Sequence, residues 1–414
     1  MENNIVPELR FPGFESEWNK SIIKNIANKI TDGTHDTPKP TKTGIPFLTA
    51  IHVKDGFIDF ENCYFLPEDV HNKIYARCNP EKDDLLMVNI GAGVATSAKV
   101  NVDFEFSLKN VALVKPNQTK IDPDFFSQIQ RRNSARLRHQ ISSGGAQPFL
   151  SLKEIGKLKL VIPKEKTEQT KIATFLTAID KRTKILEKKK TDLEQYKKGV
   201  MQKIFSQEIR FKKEDGTDFP DWEEKKLGDL GNTFNGLTGK TKVDFGEGKP
   251  YIQYMQIFSD SKIDTTQFGL VKIEDGENQS KAQLGDVFFT TSSETPNEIG
   301  TASVLTEPVD EVYLNSFCFG FRPNSLDELI PEFSQFFFRS ENVRRKIIPL
   351  AQGSTRFNMS KVELMKLKFD VPKKVEQEKI ASFLVSIDKA IQRLESQIED
   401  SKEFKQGLLQ KMFV

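Results

Sequence analysis

Two clusters of basic side chains are the clearest candidates for a binding site, because each could hold a row of phosphate groups. On a helix, residues four and seven positions apart lie on one face, so the first cluster could form one positive stripe. Its members are Arg131, Arg132, Arg136 and Arg138. The second half of the chain holds a comparable cluster of Arg339, Arg344, Arg345 and Lys346. A charged face that contacts only water would show the same pattern, so both interpretations stay open.

A glycine-containing segment follows each basic cluster, at residues 141–147 and 350–356. Glycine lets a backbone approach another molecule closely, and Gln147 or Arg356 could hydrogen-bond to the edge of adenine or guanine. These segments favour a nucleic-acid interface. The arginines of the clusters would then mainly supply affinity for the phosphate backbone.

A polar, turn-rich loop at residues 31–38 carries another candidate, His35, and is followed by Lys39 and Lys42. Its side chains could reach into a groove of a nucleic acid. A simple Asx-type turn would have the same composition, and we leave the two interpretations open.

The loop at residues 236–241 contains Lys240, and Lys242 follows it. It resembles a phosphate-binding P-loop, but the first glycine of G-x-x-x-x-G-K-[ST] would have to stand at Phe234. We therefore expect a basic loop that touches a nucleic-acid backbone rather than a nucleotide site.

The sequence predicts neither a catalytic site nor a metal site. The four histidines lack the H-x-x-x-H and H-E-x-x-H spacings of zinc enzymes. The three cysteines form no C-x-x-C pair, which disfavours both a zinc thiolate site and a disulfide framework. We find no nucleophile paired with a candidate base.

The elements that must position these residues come from an internal repeat. The segment Lys171-Ile-Ala-Thr-Phe-Leu-Thr-Ala-Ile-Asp180 recurs as Lys379-Ile-Ala-Ser-Phe-Leu-Val-Ser-Ile-Asp388. Each half also begins alike, with Phe11 and Trp18 mirrored by Phe219 and Trp222. Residues 31–143 and 235–352 share little. A repeated frame with two different inserts suits a protein that holds two binding modules with different targets, although an old duplication that drifted is the alternative.

Each repeat ends in a long helical segment with a heptad pattern, over residues 167–205 and 376–413. The seam includes Ile172, Leu176, Ile179, Leu186 and Leu193 in the first segment, and Ile380, Leu384, Ile387, Leu394 and Ile398 in the second. At 1.5 Å per residue each helix would span roughly 55–60 Å, which suits a two-stranded coil. The first segment has ten basic and five acidic residues and the second has six and seven, so we expect the two to pair. Packing of each helix on its own globular half is the weaker alternative.

The inserts consist of short β-rich runs separated by turn residues, which predicts mixed α+β domains. The predicted strands lie at residues 44–49, 84–90, 110–115, 250–254, 285–291 and 316–321. Amphipathic helices are expected at residues 123–140 and 331–348.

The composition limits the remaining classes. The chain has 414 residues, enough for two or three domains, and a formal net charge of only +2, so any basic surface must be local. No stretch is apolar enough to span a membrane, and the first residues lack the features of a secretory signal. We expect a cytoplasmic protein.

At this point the sequence resembles the specificity subunit of type I restriction-modification systems over nearly its whole length. The resemblance is carried by the doubled motif that runs from Pro163 through Glu168-Gln169 to Ile179-Asp180, and from Pro372 through Glu376-Gln377 to Ile387-Asp388. The opening Leu9-Arg-Phe-Pro-Gly-Phe14 and the turns at Gly144 and Gly353 also look like that family.

The resemblance implies two pseudo-two-fold-related target-recognition domains, each reading half of a split DNA sequence. An antiparallel coiled coil of two long helices would separate them and set the spacer. The domains would be residues 1–163 and 207–372, and the helices residues 164–206 and 373–414. The helices would recruit two methyltransferase subunits that bind S-adenosylmethionine, and motor-nuclease subunits using ATP and Mg²⁺ would join them. No catalysis would lie in this chain.

Two alternatives from other classes stay open. One is a self-sufficient DNA methyltransferase or nuclease with an unrecognised site, which Asn79-Pro-Glu-Lys82 disfavours because it departs from the N-P-P-[FY] motif. The other is a coiled-coil adaptor without DNA binding. Methyl transfer or cleavage by the purified chain alone would support the first alternative, and failure of the assembled complex to bind DNA would support the second.

Overall fold

The computed structural model describes residues 5–91, 93–142 and 148–414, with only the backbone of residues 135 and 139–142. The chain forms two compact units. The first unit contains Met1–Glu187 and Ser396–Val414, and the second contains Lys188–Glu395. Among the described residues, no helix combines the length and apolar character that a membrane crossing requires.

The first unit is built on a four-stranded antiparallel sheet with the strand order β2-β10-β7-β8. Smaller sheets have the orders β6-β3-β9, β1-β11 and β4-β5. The strands are β1 (Asn19–Ile22), β2 (Ala27–Asp32), β3 (Ile45–Leu48), β4 (Val53–Lys54), β5 (Phe57–Ile58), β6 (Tyr64–Leu66), β7 (Leu85–Val88), β8 (Ser97–Lys99), β9 (Ser107–Leu108), β10 (Val111–Pro116) and β11 (Lys159–Ile162).

The core that holds Trp18 and Phe125 includes residues of four helices. They are α1 (Ile23–Ile26), α3 (Pro123–Ser142), α4 (Leu152–Lys157) and α5 (Lys166–Phe205), whereas α2 (Glu68–Tyr75) contacts β9 of a smaller sheet. The helix predicted at residues 123–140 is confirmed as α3. It begins with a proline at its first position, where no backbone donor is needed.

The second unit repeats three of these sheets, with the orders β13-β20-β16-β18, β15-β14-β19 and β12-β23, whereas its fourth sheet, β17-β22-β21, does not correspond to β4-β5. Its strands are β12 (Glu223–Lys226), β13 (Gly231–Asn235), β14 (Phe245–Ile252), β15 (Gly269–Val271), β16 (Val287–Thr290), β17 (Ser292–Ser293), β18 (Ala302–Val304), β19 (Tyr313–Leu314), β20 (Cys318–Pro323), β21 (Ala351–Gln352), β22 (Phe357–Met359) and β23 (Lys368–Val371). The two inserts therefore share a fold although their sequences do not align by eye. All six predicted strands are confirmed, with shifted ends.

The helices of the second unit correct one prediction. They are α6 (Leu227–Leu230), α7 (Tyr254–Ser259), α8 (Pro331–Phe337), α9 (Glu341–Ile347), α10 (Lys361–Lys366) and α11 (Lys374–Lys411). The single helix expected at residues 331–348 is wrong, because α8 and α9 are separate. The Ser340 side chain accepts a hydrogen bond from the Val343 amide at 3.4 Å and so starts a new helix at that point.

Each unit contains one part of α5 and one part of α11, and the two parts run antiparallel. In the first unit the Lys405 ammonium lies 2.6 Å from Asp180, and the Thr183 and Ser401 hydroxyls are 2.7 Å apart. In the second unit Lys190 pairs with Glu395 at 2.9 Å. Residue numbers along α5 rise from one contact to the next while those along α11 fall, so the two helices run in opposite directions. The predicted fold class, two mixed α+β domains with an antiparallel pair of long helices, is confirmed.

The heptad positions of both helices are turned away from solvent. Those that are buried are Ile172, Leu176, Ile179, Ile380, Leu384, Ile387, Leu394 and Ile398, and those that are half-buried are Leu186 and Leu193. The first turns of α5 also pack into the core of the first unit. Pairing with the other helix and packing on the globular half, which the sequence presented as alternatives, therefore both occur.

Candidate nucleic-acid interface

A buried ion pair fastens the start of α5 to the beginning of the first unit. The guanidinium of Arg10 donates two hydrogen bonds to Glu168, at 2.7 and 2.8 Å, and the Trp18 indole donates a third at 3.3 Å. Glu168 is 1% exposed. Its hydrogen bond raises the pKa of Arg10 above the ordinary value. This bidentate contact fixes both the position and the direction of the helix.

The second unit contains the same contact between Arg210, Trp222 and Glu376, with Arg210 donating at 3.1 and 2.8 Å. The structure thereby corrects the alignment of the two half-chain starts. The counterpart of Phe11 is Phe211, because their rings pack on Phe175 and Phe383 at 5.7 and 5.6 Å. The expected correspondence of Phe11 with Phe219 is therefore wrong, and the Arg-Phe dipeptide that both half-chains share is the sequence signal for the two arginines.

The glutamine after each buried glutamate joins the long helix to the start of a helix near the end of the insert, α3 or α8. Gln169 accepts a hydrogen bond from the Asp122 amide at 2.8 Å and donates to the Pro163 carbonyl at 3.0 Å. Gln377 makes the equivalent contacts with Ile330, at 3.1 Å, and with Pro372, at 2.9 Å. The doubled Glu-Gln motif is therefore a clamp that gives α3 and α8 the same position in their units.

A close approach of two backbone segments forms one edge of each insert. A β carbon on Gly33 would lie 2.0 Å from the Leu108 carbonyl oxygen, and one on Gly236 would lie 2.1 Å from that of Asn315. Only glycine fits there. In the first unit, the loop after β2 is thereby held against the turn before β10. In the second unit, the loop after β13 is held against the turn before β20.

His35 lies at this edge of the first unit, with 54% of its side chain exposed. Its ring nitrogens are 3.0 Å from the Asn110 amide oxygen and 3.0 Å from the buried carboxylate of Asp32. These contacts hold the ring in place. Lys39 and Lys42 follow on the same loop, are exposed, and have no hydrogen-bond or ion-pair partner among the described residues.

The first arginine cluster does not form a single outward stripe. Arg131 donates to Asp55 at 3.1 Å and to Asp180 at 2.9 Å, and Arg132 donates to the Val414 carbonyl at 2.9 Å. Arg138 donates to the Thr96 hydroxyl at 3.2 Å. Burial by itself would lower the pKa of Arg131, but the two aspartates outweigh it and raise that pKa.

Arg136 differs from the rest of its cluster because its side chain is exposed, and none of the described residues pairs with it. Gln147, which the sequence proposed as a base-reading residue after this helix, lies outside the described residues. Of the first cluster, Arg136 is therefore the arginine that is open to a ligand.

Most of the second basic cluster is also engaged within the protein. Arg339 donates to backbone carbonyls that include those of Ile257, at 2.8 Å, and Ala302, at 2.6 Å. Arg344 donates to Gly300 and Ile299, both at 2.6 Å. Burial lowers the pKa of both arginines to about 10. Their guanidinium groups hold loops together rather than facing solvent.

The two remaining members of that cluster lie nearer the surface. Arg345 pairs with Glu341 one turn earlier on α9. Lys346 donates to the Lys368 carbonyl at 2.6 Å and lies 5.4 Å from the centre of the Phe369 ring. Neither side chain is placed beside the loop edge of the second insert.

An open cleft of about 850 Å³ lies at that edge of the second unit. Its walls include Met255 and Phe317, which are 60% and 55% exposed, together with Glu294 and Ser293. The Arg356 guanidinium lies over the Phe317 ring, 5.6 Å from its centre, and Arg356 is exposed to solvent. Such a group can offer two parallel donors to an acceptor pair.

The basic loop after β13 has one engaged and one free lysine. Lys240 is 7% exposed and forms an ion pair with Glu277, whose pKa that hydrogen bond lowers to about 2. Lys242 is exposed on a short 3₁₀ turn, Lys242–Asp244, and has no partner among the described residues. In this loop only Lys242 is available for a phosphate.

The described part of the chain contains no group of three or more His, Cys, Asp or Glu side chains that could hold a metal ion. The features open to a ligand are unpaired cations and exposed aromatic rings on loop edges, and the close backbone approaches at Gly33 and Gly236 hold these edges in place. This arrangement can contact phosphates and base edges.

Comparisons with known proteins agree with this geometry. The family model described as type I restriction modification DNA specificity domain matches twice, at residues 15–195 and 220–401. Two Methanocaldococcus jannaschii proteins named as type I restriction enzyme specificity subunits, MjaX and MjaVIII, are 24% and 25% identical. They cover 95% and 86% of this chain, and 92% and 85% of their own lengths are matched. The crystal structure of a type I restriction-modification S subunit from M. genitalium superposes with a TM-score of 0.58 at 15% identity, covering 99% of both chains, which shows a shared fold.

Proposed function

We propose that this chain, which belongs to the family of type I restriction modification DNA specificity domains, is the sequence-specific DNA-binding subunit of a type I restriction-modification complex. Each insert reads one half of a bipartite double-stranded DNA target. The two long helices set the unread spacer and recruit methyltransferase subunits, and motor-nuclease subunits join this assembly in the cytoplasm. The chain performs no catalysis itself. S-adenosylmethionine, ATP and Mg²⁺ belong to its partners.

The observation that carries this proposal is the contrast between a repeated frame and two different loop edges. Both units have the same strand order and the same Glu-Gln clamp. At equivalent edges, however, the first unit presents His35 with Asn110, whereas the second presents Arg356 with Phe317. Two sites with the same position in the fold and different chemistry suit two readers of different sequences.

The placement of the side chains assigns them separate roles in this proposal. Arg356 reads a base edge, because its supported guanidinium can donate to the O6 and N7 acceptors of guanine. The free cations contact phosphates, and these are Lys39, Lys42, Arg136 and Lys242. Arg131, Arg339 and Arg344 act indirectly by holding the inserts in shape.

The test is to express this chain with its cognate methyltransferase subunit in a host that lacks adenine methylation, and to map methylated adenines by single-molecule sequencing. We expect one split motif with a fixed gap. Exchange of residues 31–143 for those of another member of the family should change one half of the motif, and exchange of residues 235–352 should change only the other half.

Four results would contradict the proposal. A continuous motif would exclude two separate readers, and a motif whose two halves change together would exclude independent inserts. Methylation or cleavage by the purified chain alone would identify an enzyme. Absence of methylation from a stable complex that binds no DNA would favour an adaptor.

A further inference from the structure

Each insert presents one large apolar side chain to solvent at the same point of its fold. Leu48 and Ile252 are equivalent residues, because each pairs with the last residue of the parallel strand beside it, in β9 or β19. Three residues further along the chain lie Ile51, which is 61% exposed, and Met255, which is 60% exposed. Among the described residues, neither side chain belongs to an apolar core.

Packing within the chain explains the apolar residues near these two positions, but not the two positions themselves. Val53 and Ile257, which follow two residues later, are 3% and 0% exposed and lie in the cores of their units. The residues in between differ in type, since His52 corresponds to Gln256. A single exposed apolar residue is ordinary on a protein surface. Its recurrence at one position of two inserts that otherwise diverge indicates a common role.

An equivalent arginine fixes the segment that carries each exposed residue. Arg131 and Arg339 each lie nine residues after the residue whose amide the Glu-Gln clamp holds. Arg131 donates to Asp55 at 3.1 Å, and Arg339 donates to the Ser259 carbonyl at 3.3 Å. Both acceptors lie four residues after the exposed apolar residue. Because the segment is already held in place, contact with a ligand costs little conformational entropy.

Both exposed residues lie at the loop edges of their units. In the first unit the Lys109 amide donates to the Leu48 carbonyl at 2.9 Å, which places this segment beside the edge that carries His35. In the second unit Met255 lines the cleft that also contains Arg356. Each edge therefore combines polar side chains with one apolar side chain.

We propose that Ile51 and Met255 each contact the C5-methyl group of a thymine in the half-site that their unit reads. This inference rests on the proposed function and names a base that each half-site must contain. The thymine methyl is the apolar group that base pairs present in the major groove, so an apolar side chain among polar base-reading groups finds its complement there. A protein partner that is the same for both units fits the repeated frame better than two divergent inserts.

The test uses the complex of the full chain with its cognate methyltransferase subunit. The complex is bound, at one fixed salt concentration, to duplexes that contain the mapped motif. Replacing one thymine at a time by deoxyuridine removes only the methyl group. Fluorescence anisotropy should show one position in each half-site at which this replacement weakens binding roughly fourfold, since one methyl group is no longer buried.

Two variants assign the methyl contacts to residues. Ile51→Ala should bind the thymine and uracil duplexes equally in the half-site that exchange of residues 31–143 alters, and should keep the thymine preference in the other half-site. Met255→Ala should give the converse result. Ile185→Ala is the matched control, since Ile185 is 66% exposed on α5 outside both inserts, and it should keep both preferences.

Each other outcome contradicts a specific step. If uracil weakens binding of the unmodified complex at no position, the methyl contacts do not exist, and the inference fails while the proposed function stands. A variant that binds both duplexes more weakly but keeps the thymine preference would identify a wedge between base steps instead. A variant that binds both duplexes unchanged would remove its residue from the base-reading surface, and one that loses the methyltransferase subunit would place it in a protein interface. An unmodified complex that binds no specific sequence would overturn the proposed function itself.

Discussion

Replacement of Glu168 by alanine tests whether the buried clamp positions α5. The substitution removes both acceptors of Arg10, at 2.7 and 2.8 Å, in a site where Glu168 is 1% exposed and the Arg10 side chain 11% exposed. Each charge-assisted hydrogen bond contributes about 1.5–3 kcal/mol. Breaking one partner of a buried pair costs about 3–5 kcal/mol, because the remaining charge stays buried. We therefore expect the free energy of unfolding of the first unit to fall by about 3–5 kcal/mol.

The assay combines differential scanning calorimetry with amide hydrogen exchange. For a unit of this size the loss corresponds to a drop in Tm of roughly 10 °C. Exchange should accelerate in the first turns of α5 and in residues 9–18, which contain Arg10 and Trp18, while the second unit keeps its protection. Glu376→Ala should give the mirror-image result, since Glu376 makes the same contacts with Arg210.

The matched control is Glu165→Ala, an exposed carboxylate in the turn before the same helix, which accepts one hydrogen bond from Ser16 at 3.0 Å. We expect a change within about 0.5 kcal/mol. If Glu168→Ala were no more destabilising than this control, or if its exchange effect appeared in the second unit, the clamp would not position α5 and the reasoning would be refuted.

Four further predictions concern the arginines and the half-buried Asp180. Arg344→Ala should destabilise the second unit by about 1–3 kcal/mol in denaturant unfolding, because it leaves backbone carbonyls unpaired, whereas exposed Arg345→Ala should not. Burial would raise the pKa of Asp180, but Arg131 and Lys405 lower that pKa overall. The ionised Asp180 therefore stabilises the first unit at neutral pH, and this contribution is lost below about pH 4. Asp180→Asn should make the free energy of unfolding less dependent on pH in that range. Arg136→Ala should reduce the salt slope of DNA binding by about one unit, without a change of motif. Arg356→Ala should weaken the preference for one base at one position of one half-site by about 1–3 kcal/mol. Methylation maps of the variant would show this loss of base preference.

The long helices and the duplication of this protein could be predicted from its sequence because they depend on local residue patterns. The heptad steps place apolar side chains on one face of a helix whatever surrounds it, so the long helices and their seam follow from residue order. The short apolar runs bounded by turn residues gave all six predicted strands of the inserts. The duplication was visible because the clamp residues Glu168 and Glu376 lie in segments whose spacing did not change.

The candidate site was less accessible to this reasoning. Residue type identified Arg131, Arg136, Arg339 and Arg344 as similar cations, but their partners lie far away in the chain. Arg131 meets Asp180, Arg344 meets the Gly300 carbonyl, and Arg136 meets none of the described groups. Whether an arginine stabilises a loop or faces a ligand depends on which acceptors the fold brings within hydrogen-bond distance.

The common topology of the two inserts was likewise decided only by tertiary structure. Many apolar sequences fit one pleated sheet, so the sequences of residues 31–143 and 235–352 could diverge while β2-β10-β7-β8 and β13-β20-β16-β18 kept one order. The sequence by itself therefore determined a doubled frame with long paired helices, since these depend on local periodicity. The equivalent loop edges, and the few side chains that remain free on them, depend on contacts between distant residues, which only the folded chain brings together.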